Sequence, residues 1–150
     1  MTQSEFEEYL ARAVPEYAAS KVQAAMHAAE DAERLAREEL ERLAPDGPAT
    51  PGHLLFTAVD EGAAVGILWL GLPVEWRPQP WVYDIWVDEI HQGKGYGRAI
   101  MLAAERELAA RGLHELGLNV FGYNTPAIKL YESLGYEVTA QQMTKRFYES

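Results

Sequence analysis

The sequence predicts one mixed α/β domain (α+β in layout), a central mixed sheet with flanking helices, two of them N-terminal. Three observations predict it. The first third of the chain has helical periodicity, the middle is rich in β-branched and aromatic residues, and the remainder alternates helix and strand patterns. The chain has 150 residues, about one domain's worth, so a single domain over 1–150 is expected. At this size roughly two-thirds of the unfolded surface becomes buried, so no covalent staple is needed.

Each element has a local reason. Ser4–Ala13 reads as a short helix, and Pro15 is expected to separate it from a longer one over Glu16–Leu43. In the long helix Val22, Met26, Ala29, Ala32, Ala36, Leu40 and Leu43 recur at steps of three and four, the spacing of one buried face. Its charged residues, from Glu30 to Arg42, read as a solvated face laced with ion pairs. Pro45, Gly47 and Pro48 end it. His53–Val59 and Ala64–Leu72 flank Asp60-Glu61-Gly62, the pattern of an antiparallel hairpin. Trp81–Val87 is a third strand. Arg98–Arg111 is a helix with an apolar face at Ile100, Met101, Ala104 and Leu108, closed by Gly112. Glu115–Phe121 reads as a strand, Pro126–Leu134 as a short helix, and Tyr136–Thr139 and Met143–Tyr148 as extended. Strand–helix–strand units cross over right-handed, so the central strands should run parallel.

Composition removes several chemistries. There is no cysteine, which excludes disulfides, thiolate metal sites and cysteine nucleophiles. His27, His53, His91 and His114 are scattered without ligand spacing, so no metal is expected. No apolar run approaches the ~18 residues of a membrane span. The polar, acidic N-terminus does not read as a signal peptide, which points to the cytoplasm. The formal charge of −10 repels nucleic acid and anionic membranes and attracts a cationic acceptor. An anionic cofactor would need a local site that overrides this field.

Such a site is legible between Val82 and Arg98. A strand runs into a loop holding Gly93, Gly95 and Gly97, and the loop runs straight into a helix. Glycines expose backbone N–H groups, and the helix start adds unpaired donors and the positive end of its dipole. Together they suit a pyrophosphate, with Lys94 and Arg98 adding charge. The alternative is a turn that merely ends a strand. Spacing excludes two other phosphate loops. Reading from Gly93 and Gly95, Arg98 stands where a dinucleotide fingerprint needs Gly or Ala, and Gly95 follows Lys94 where a P-loop needs Ser or Thr.

Gln92-Gly93-Lys94-Gly95-Tyr96-Gly97 resembles the Gln/Arg-x-x-Gly-x-Gly/Ala signature of the GNAT acetyltransferase superfamily. Asn124 to Tyr136 resembles its second motif, Asn-x-x-Ala-x-x-Leu-Tyr-x-x-x-Gly-Phe/Tyr, in the same order and at the usual separation. The resemblance covers about Leu54 to Phe147. It implies a GNAT-like fold with a splayed parallel strand pair, and acetyl-CoA as cosubstrate. Amides from Gln92 through Gly93, Lys94, Gly95, Tyr96 and Gly97 to Arg98 would hold its pyrophosphate. Backbone groups at Ile85, Trp86 and Val87 would pair with the pantetheine arm as a strand would, one amide serving as oxyanion donor. Asn124 would contact the cofactor and Tyr131 would lie beside its sulfur.

The residues themselves leave alternatives. Tyr131 could protonate a departing thiolate, or be a packed aromatic; its motif favours the acid role. Asn124 could also cap the helix at Pro126. Asp84 is the best-placed general base, or else a structural carboxylate that caps a turn or pairs with an arginine. Strand alternation puts Asp84 and Trp86 on one face, with Tyr83, Ile85 and Val87 on the other. Related sequences often carry an acid where this one has Trp86. The N-terminal helices could roof an acceptor cleft, and Trp69, Trp76, Trp81 and Trp86 either line it or pack in the core.

The function that follows is N-acetyl transfer from acetyl-CoA to a primary amine, small or peptidic, by direct attack in a ternary complex. Other readings are an acyl-CoA-binding sensor with little catalysis, and an enzyme for longer acyl-CoA donors. The resemblance also suggests a homodimer.

Overall fold

The structure, a computed structural model, describes residues 1–24 and 26–148. Its elements are α1 (Gln3–Gln23), α2 (Ala32–Leu43), β1 (His53–Asp60), β2 (Ala63–Gly71), β3 (Trp81–Val87), α3 (Tyr96–Ala110), β4 (Gly117–Leu118) and α4 (Thr125–Ser133), with short 3-10 turns at Gly47–Ala49 and Glu89–His91. The four strands form one sheet in the order β1-β2-β3-β4. β1–β2 and β2–β3 are antiparallel, and β3–β4 is parallel. A mixed sheet between helices is the arrangement that the resemblance implies.

Each face of the sheet carries its own core. Phe6, Tyr9, Ala13, Val14 and Ala18 of α1 and Ala32, Ala36 and Leu40 of α2 pack on Leu55, Ile67 and Trp69. Ile100, Met101, Ala104 and Leu108 of α3 pack on Leu68, Leu70 and Val82 on the other face. Burying these side chains drives the layers together, each large one contributing about 1.5–3 kcal/mol.

The N-terminal helices divide differently from the expectation. Pro15 lies inside α1 and the break falls between Gln23 and Ala32. Pro15 and Ala11 are both exposed, so water can satisfy the Ala11 carbonyl that proline leaves unpaired. Ala13, Val14 and Ala18 are buried on either side of the proline, and that packing carries the helix past it. Val22 and Met26 are only partly buried and Ala29 is exposed, so the expected face breaks at its N-terminal half.

One expected strand is shorter, and two segments expected to be extended add no strand. Glu115–Phe121 shrinks to Gly117–Leu118, because β3 pairs with it only at Trp81 and Val82. Tyr136–Thr139 and Met143–Tyr148 form no strand and pair with nothing in the sheet.

One irregularity matters for the site. Leu70 pairs with Val82 and Trp69 with Asp84, which leaves Tyr83 as an extra residue on β3. This β-bulge resets the alternation. Tyr83 therefore faces the α1–α2 core beside Trp86, on the side that also receives Asp84, while Val82, Ile85 and Val87 face α3. Across the same pair, Gly66 is obligatory: a Cβ there would lie 2.1 Å from the Trp86 carbonyl oxygen.

Candidate active site

The site begins as a gap in the sheet. Beyond Val82, β3 continues for five residues, Tyr83 to Val87, with β2 on one side and no strand on the other. Because β4 ends at Leu118, the backbone edge of β3 beyond Val82 is unpaired among the described residues. An unpaired edge is costly unless water or a ligand completes it, and an extended ligand can do so as an added strand would.

At the end of that edge lies the glycine loop. Gly93 and Gly95 have φ of 77° and 87°, and a Cβ on either would meet nothing within 4 Å. Their requirement is therefore conformational, and the space above them is open. α3 starts at Tyr96, two residues earlier than expected, with Gly95 as its left-handed cap. Its first helical bond runs from Ala99 N–H to the Gly95 carbonyl at 3.1 Å. No side chain caps this end and no acid sits in its first turn. The N–H groups of Tyr96, Gly97 and Arg98 precede that first bond and point outward with the positive end of the helix dipole. The arrangement favours an anion.

The loop's side chains are arranged around that end. Gln92 Nε2 donates to the Val87 carbonyl at 3.0 Å, tying the loop back to the end of β3. Tyr96 Oη donates to Asp60 Oδ2 at 2.7 Å, anchoring the helix start to β1. The Arg98 guanidinium donates to Ser133 Oγ of α4, and Lys94 is exposed.

α4 supplies the far wall. Asn124 caps it, its Oδ1 accepting from the Ala127 N–H at 3.3 Å, so the capping alternative is realised. Tyr131 is half-buried against the α3 core and meets Tyr136 edge-on at 6.0 Å. Burial raises the Tyr131 hydroxyl pKa and the Asp84 carboxylate raises it further. The two groups thus lie within electrostatic reach of each other across the splay.

Asp84 is held from the opposite side. Tyr9 Oη of α1 donates to Asp84 Oδ2 at 2.7 Å. Burial pushes the carboxyl up; the Tyr9 hydrogen bond, the Arg12 charge and the Ile85 N–H pull it down, and Glu16 opposes them. Arg12 lies over the Trp86 ring, its guanidinium carbon 3.6 Å from the ring centre, while Nη1 donates to Glu16 at 2.7 Å. Arg12 Nη2 is buried with no partner among the described residues. The large aromatic at position 86 is therefore partly buried against the α1–α2 core, with a cation from α1 over its ring.

Sequence reasoning missed Tyr9, Arg12 and Glu16. Their signal was present, since steps of three and four put them on one helical face, but nothing local shows what that face covers. Of the tryptophans, Trp69 is fully buried core, Trp86 underlies Arg12, Trp81 stacks with Arg77, and Trp76 is largely exposed. Among the described residues no group of three or more His, Asp or Glu side chains could hold a metal, and no helix is long and apolar enough to cross a membrane.

Comparison with known proteins agrees with this geometry. The model of the acetyltransferase (GNAT) family matches residues 14–136. The chain is 34% identical to the uncharacterised N-acetyltransferase YycN of Bacillus subtilis over 148 residues, 97% of this chain and 95% of that one. It superposes on the crystal structure of YycN with a TM-score of 0.92, covering 99% of this chain and 96% of the other at 35% identity. A mycothiol acetyltransferase of Saccharomonospora viridis is 42% identical over 83 residues, which span 51% of this chain and 27% of that protein. Sequence and shape thus agree over nearly the whole chain, and the chain belongs to the GNAT family of acetyltransferases.

Proposed function

We propose that this acyltransferase takes its acetyl group from acetyl-CoA and places it on a primary amine, by direct attack in a ternary complex. The observation that carries the reading is the continuity of the Tyr83–Val87 edge with the uncapped α3 start at Gly95. The edge suits an amide-bearing pantetheine and the helix start suits a pyrophosphate. Acetyl-CoA supplies an activated thioester. The chain's own groups do the rest. An amide N–H on the unpaired edge of β3, at Trp86 or Val87, offers a hydrogen bond to the acetyl oxygen as charge develops there. Asp84 removes a proton from the amine as its nitrogen bonds to the acetyl carbon. Tyr131 gives its hydroxyl proton to the sulfur as the C–S bond breaks. A raised pKa suits that role, because it keeps the phenol protonated at neutral pH.

Acetyl transfer needs no cysteine-linked intermediate here, since the chain has no cysteine. The acidic chain and the Asp84–Glu16 side of the cleft favour a cationic acceptor. The reading includes action as one domain over 1–150, in the cytoplasm, as a homodimer.

Calorimetric titration of acetyl-CoA and desulfo-CoA tests the cofactor site. The parent should bind at micromolar affinity and a Gly95→Glu variant should not. Gly95→Ala separates the causes, because it carries the left-handed strain without bulk or charge. Failure of the parent to bind either compound would refute the reading.

A further inference from the structure

We propose that the acceptor is a small primary amine rather than an amine borne on a polypeptide, and that Tyr123 selects it by closing the acceptor side of the cleft against Ser20. The inference rests on the acetyl-transfer reading above and deepens it, by naming the class of acceptor and a residue that enforces it.

The amine has one side from which to arrive. With pantetheine along the free edge of β3, the base that meets the amine is Asp84, which Tyr9 holds on the α1 side of the sheet. The acceptor must therefore pass α1. Opposite α1 runs the chain that leaves β4. β4 ends at Leu118, and the residues after it no longer pair with β3. They cross towards α1 instead: Tyr123 Oη donates to Ser20 Oγ at 2.7 Å, a contact between residues 103 apart in sequence.

That bond lies close to the chemistry at both of its ends. Ser20 follows Tyr17 by three residues, on the same face of α1 and ~4.5 Å further along it. The Asp84 charge helps to raise the Tyr17 hydroxyl pKa, so Tyr17 is within electrostatic reach of the carboxylate. At the other end, Tyr123 adjoins the Asn124 cap of α4, and Tyr131 follows about two turns, or ~10 Å, along that helix. Tyr131 feels the Asp84 charge as well. The Tyr123–Ser20 bond thus joins the two helices that flank Asp84. It completes a ring of β3, α1, the β4–α4 connection and α4 around the approach to that carboxylate.

Both halves of the closure are braced. The Phe121 and Tyr123 rings stack with centres 5.9 Å apart and planes 8° apart. The Asn124 N–H donates to the Phe121 carbonyl at 2.9 Å, which fixes the turn that presents Tyr123. On α1, Tyr17 Oη donates to Glu39 of α2 at 3.0 Å. Tyr123 is 43% exposed, so its ring stands on the rim and is not core. A lysine or an N-terminus of a polypeptide brings further backbone with it and needs a groove with open ends. A closed ring admits a small amine and stops the attached chain.

An acceptor panel tests this with the full chain and acetyl-CoA, reading CoA release. The panel holds small monoamines, diamines and amino acid amides, beside short peptides with a free N-terminus or one internal lysine. Small amines should lead by about 10-fold or more in kcat/KM. Tyr123→Phe removes the bond and keeps the ring, and Tyr123→Ala removes both. The preference should shrink about 2–10-fold in Tyr123→Phe, the factor by which one such bond favours the closed form, and further in Tyr123→Ala. A merely structural role would scale all acceptors alike. The absence of natural cysteines allows the opposite change. Ser20→Cys with Tyr123→Cys, bridged by a short bismaleimide, should widen the preference for small amines. A parent that prefers peptides, or a preference that moves in none of these variants, would overturn the closure and leave acetyl transfer standing. Acetyl-CoA that binds but is consumed with no member of the panel would remove the transfer reading, and this inference with it.

Discussion

Tyr9 Oη donates a 2.7 Å hydrogen bond to Asp84 Oδ2, joining the N-terminal helix to the third strand across 75 residues of sequence. Tyr9 is 4% exposed, so this bond is made away from bulk water, where it is stronger. It favours the ionised carboxylate against the burial that disfavours it. Tyr17, Arg12 and Glu16 of α1 and Tyr131 of α4 share the same field.

Tyr9→Phe should shift the pH dependence of turnover. A base acts only when ionised, so activity falls as pH drops through the Asp84 pKa. Removing the hydrogen bond raises that pKa, and the acid limb of kcat/KM should move to higher pH. A limb that stays in place, with activity merely scaled, would mean that Asp84 is not the base.

Asp84→Asn separates catalysis from folding. Asn keeps the acceptor oxygen for Tyr9 and removes the charge that burial disfavours. The Asp84 pKa is raised in the folded state, so ionisation costs stability above its ordinary range. At pH 7 the variant should therefore melt no lower than the parent, while turnover falls about 10²–10⁴-fold. A variant with parental turnover would assign Asp84 a structural role only.

Tyr131→Phe should leave CoA affinity unchanged and lower kcat, by about 10²-fold if the hydroxyl protonates the leaving sulfur. The loss should shrink with a thioester whose thiol is more acidic, since a better leaving group needs less help. Comparing acetyl-, propionyl- and succinyl-CoA in the same assay reads the donor preference.

Gly66→Ala tests the β2–β3 contact that sets the cleft. The added Cβ would lie 2.1 Å from the Trp86 carbonyl oxygen, so the backbone must move. Overpacking of this kind costs typically 1–3 kcal/mol. Thermal melting should show the loss, with weaker CoA binding because Trp86 lies on the edge that would hold pantetheine. An unchanged melting temperature would show that β3 can shift freely.

The glycine loop, β1–β3 and α4 were legible in the sequence because their signals are local. Strand β3 was expected at Trp81–Val87 and lies there, since a β-branched and aromatic run directly after Pro80 favours extended backbone. Gly93 and Gly95 permit the left-handed backbone that both adopt, and the motif around Asn124 and Tyr131 carries its own cap. What failed depended on neighbours. Pro15 reads as a breaker until packing on both sides outweighs its lost hydrogen bond. Alternation through Tyr83 reads as regular until pairing with β2 inserts a bulge. Tyr9 and Arg12 are ordinary helix residues in sequence, and only docking of α1 on the sheet brings them to Asp84 and Trp86. The sequence by itself determined where the loop and its flanking strand and helix fall, because turn and periodicity signals act within a few residues. Tertiary structure alone decided which groups surround Asp84, because proximity across 75 residues is a property of how the layers pack.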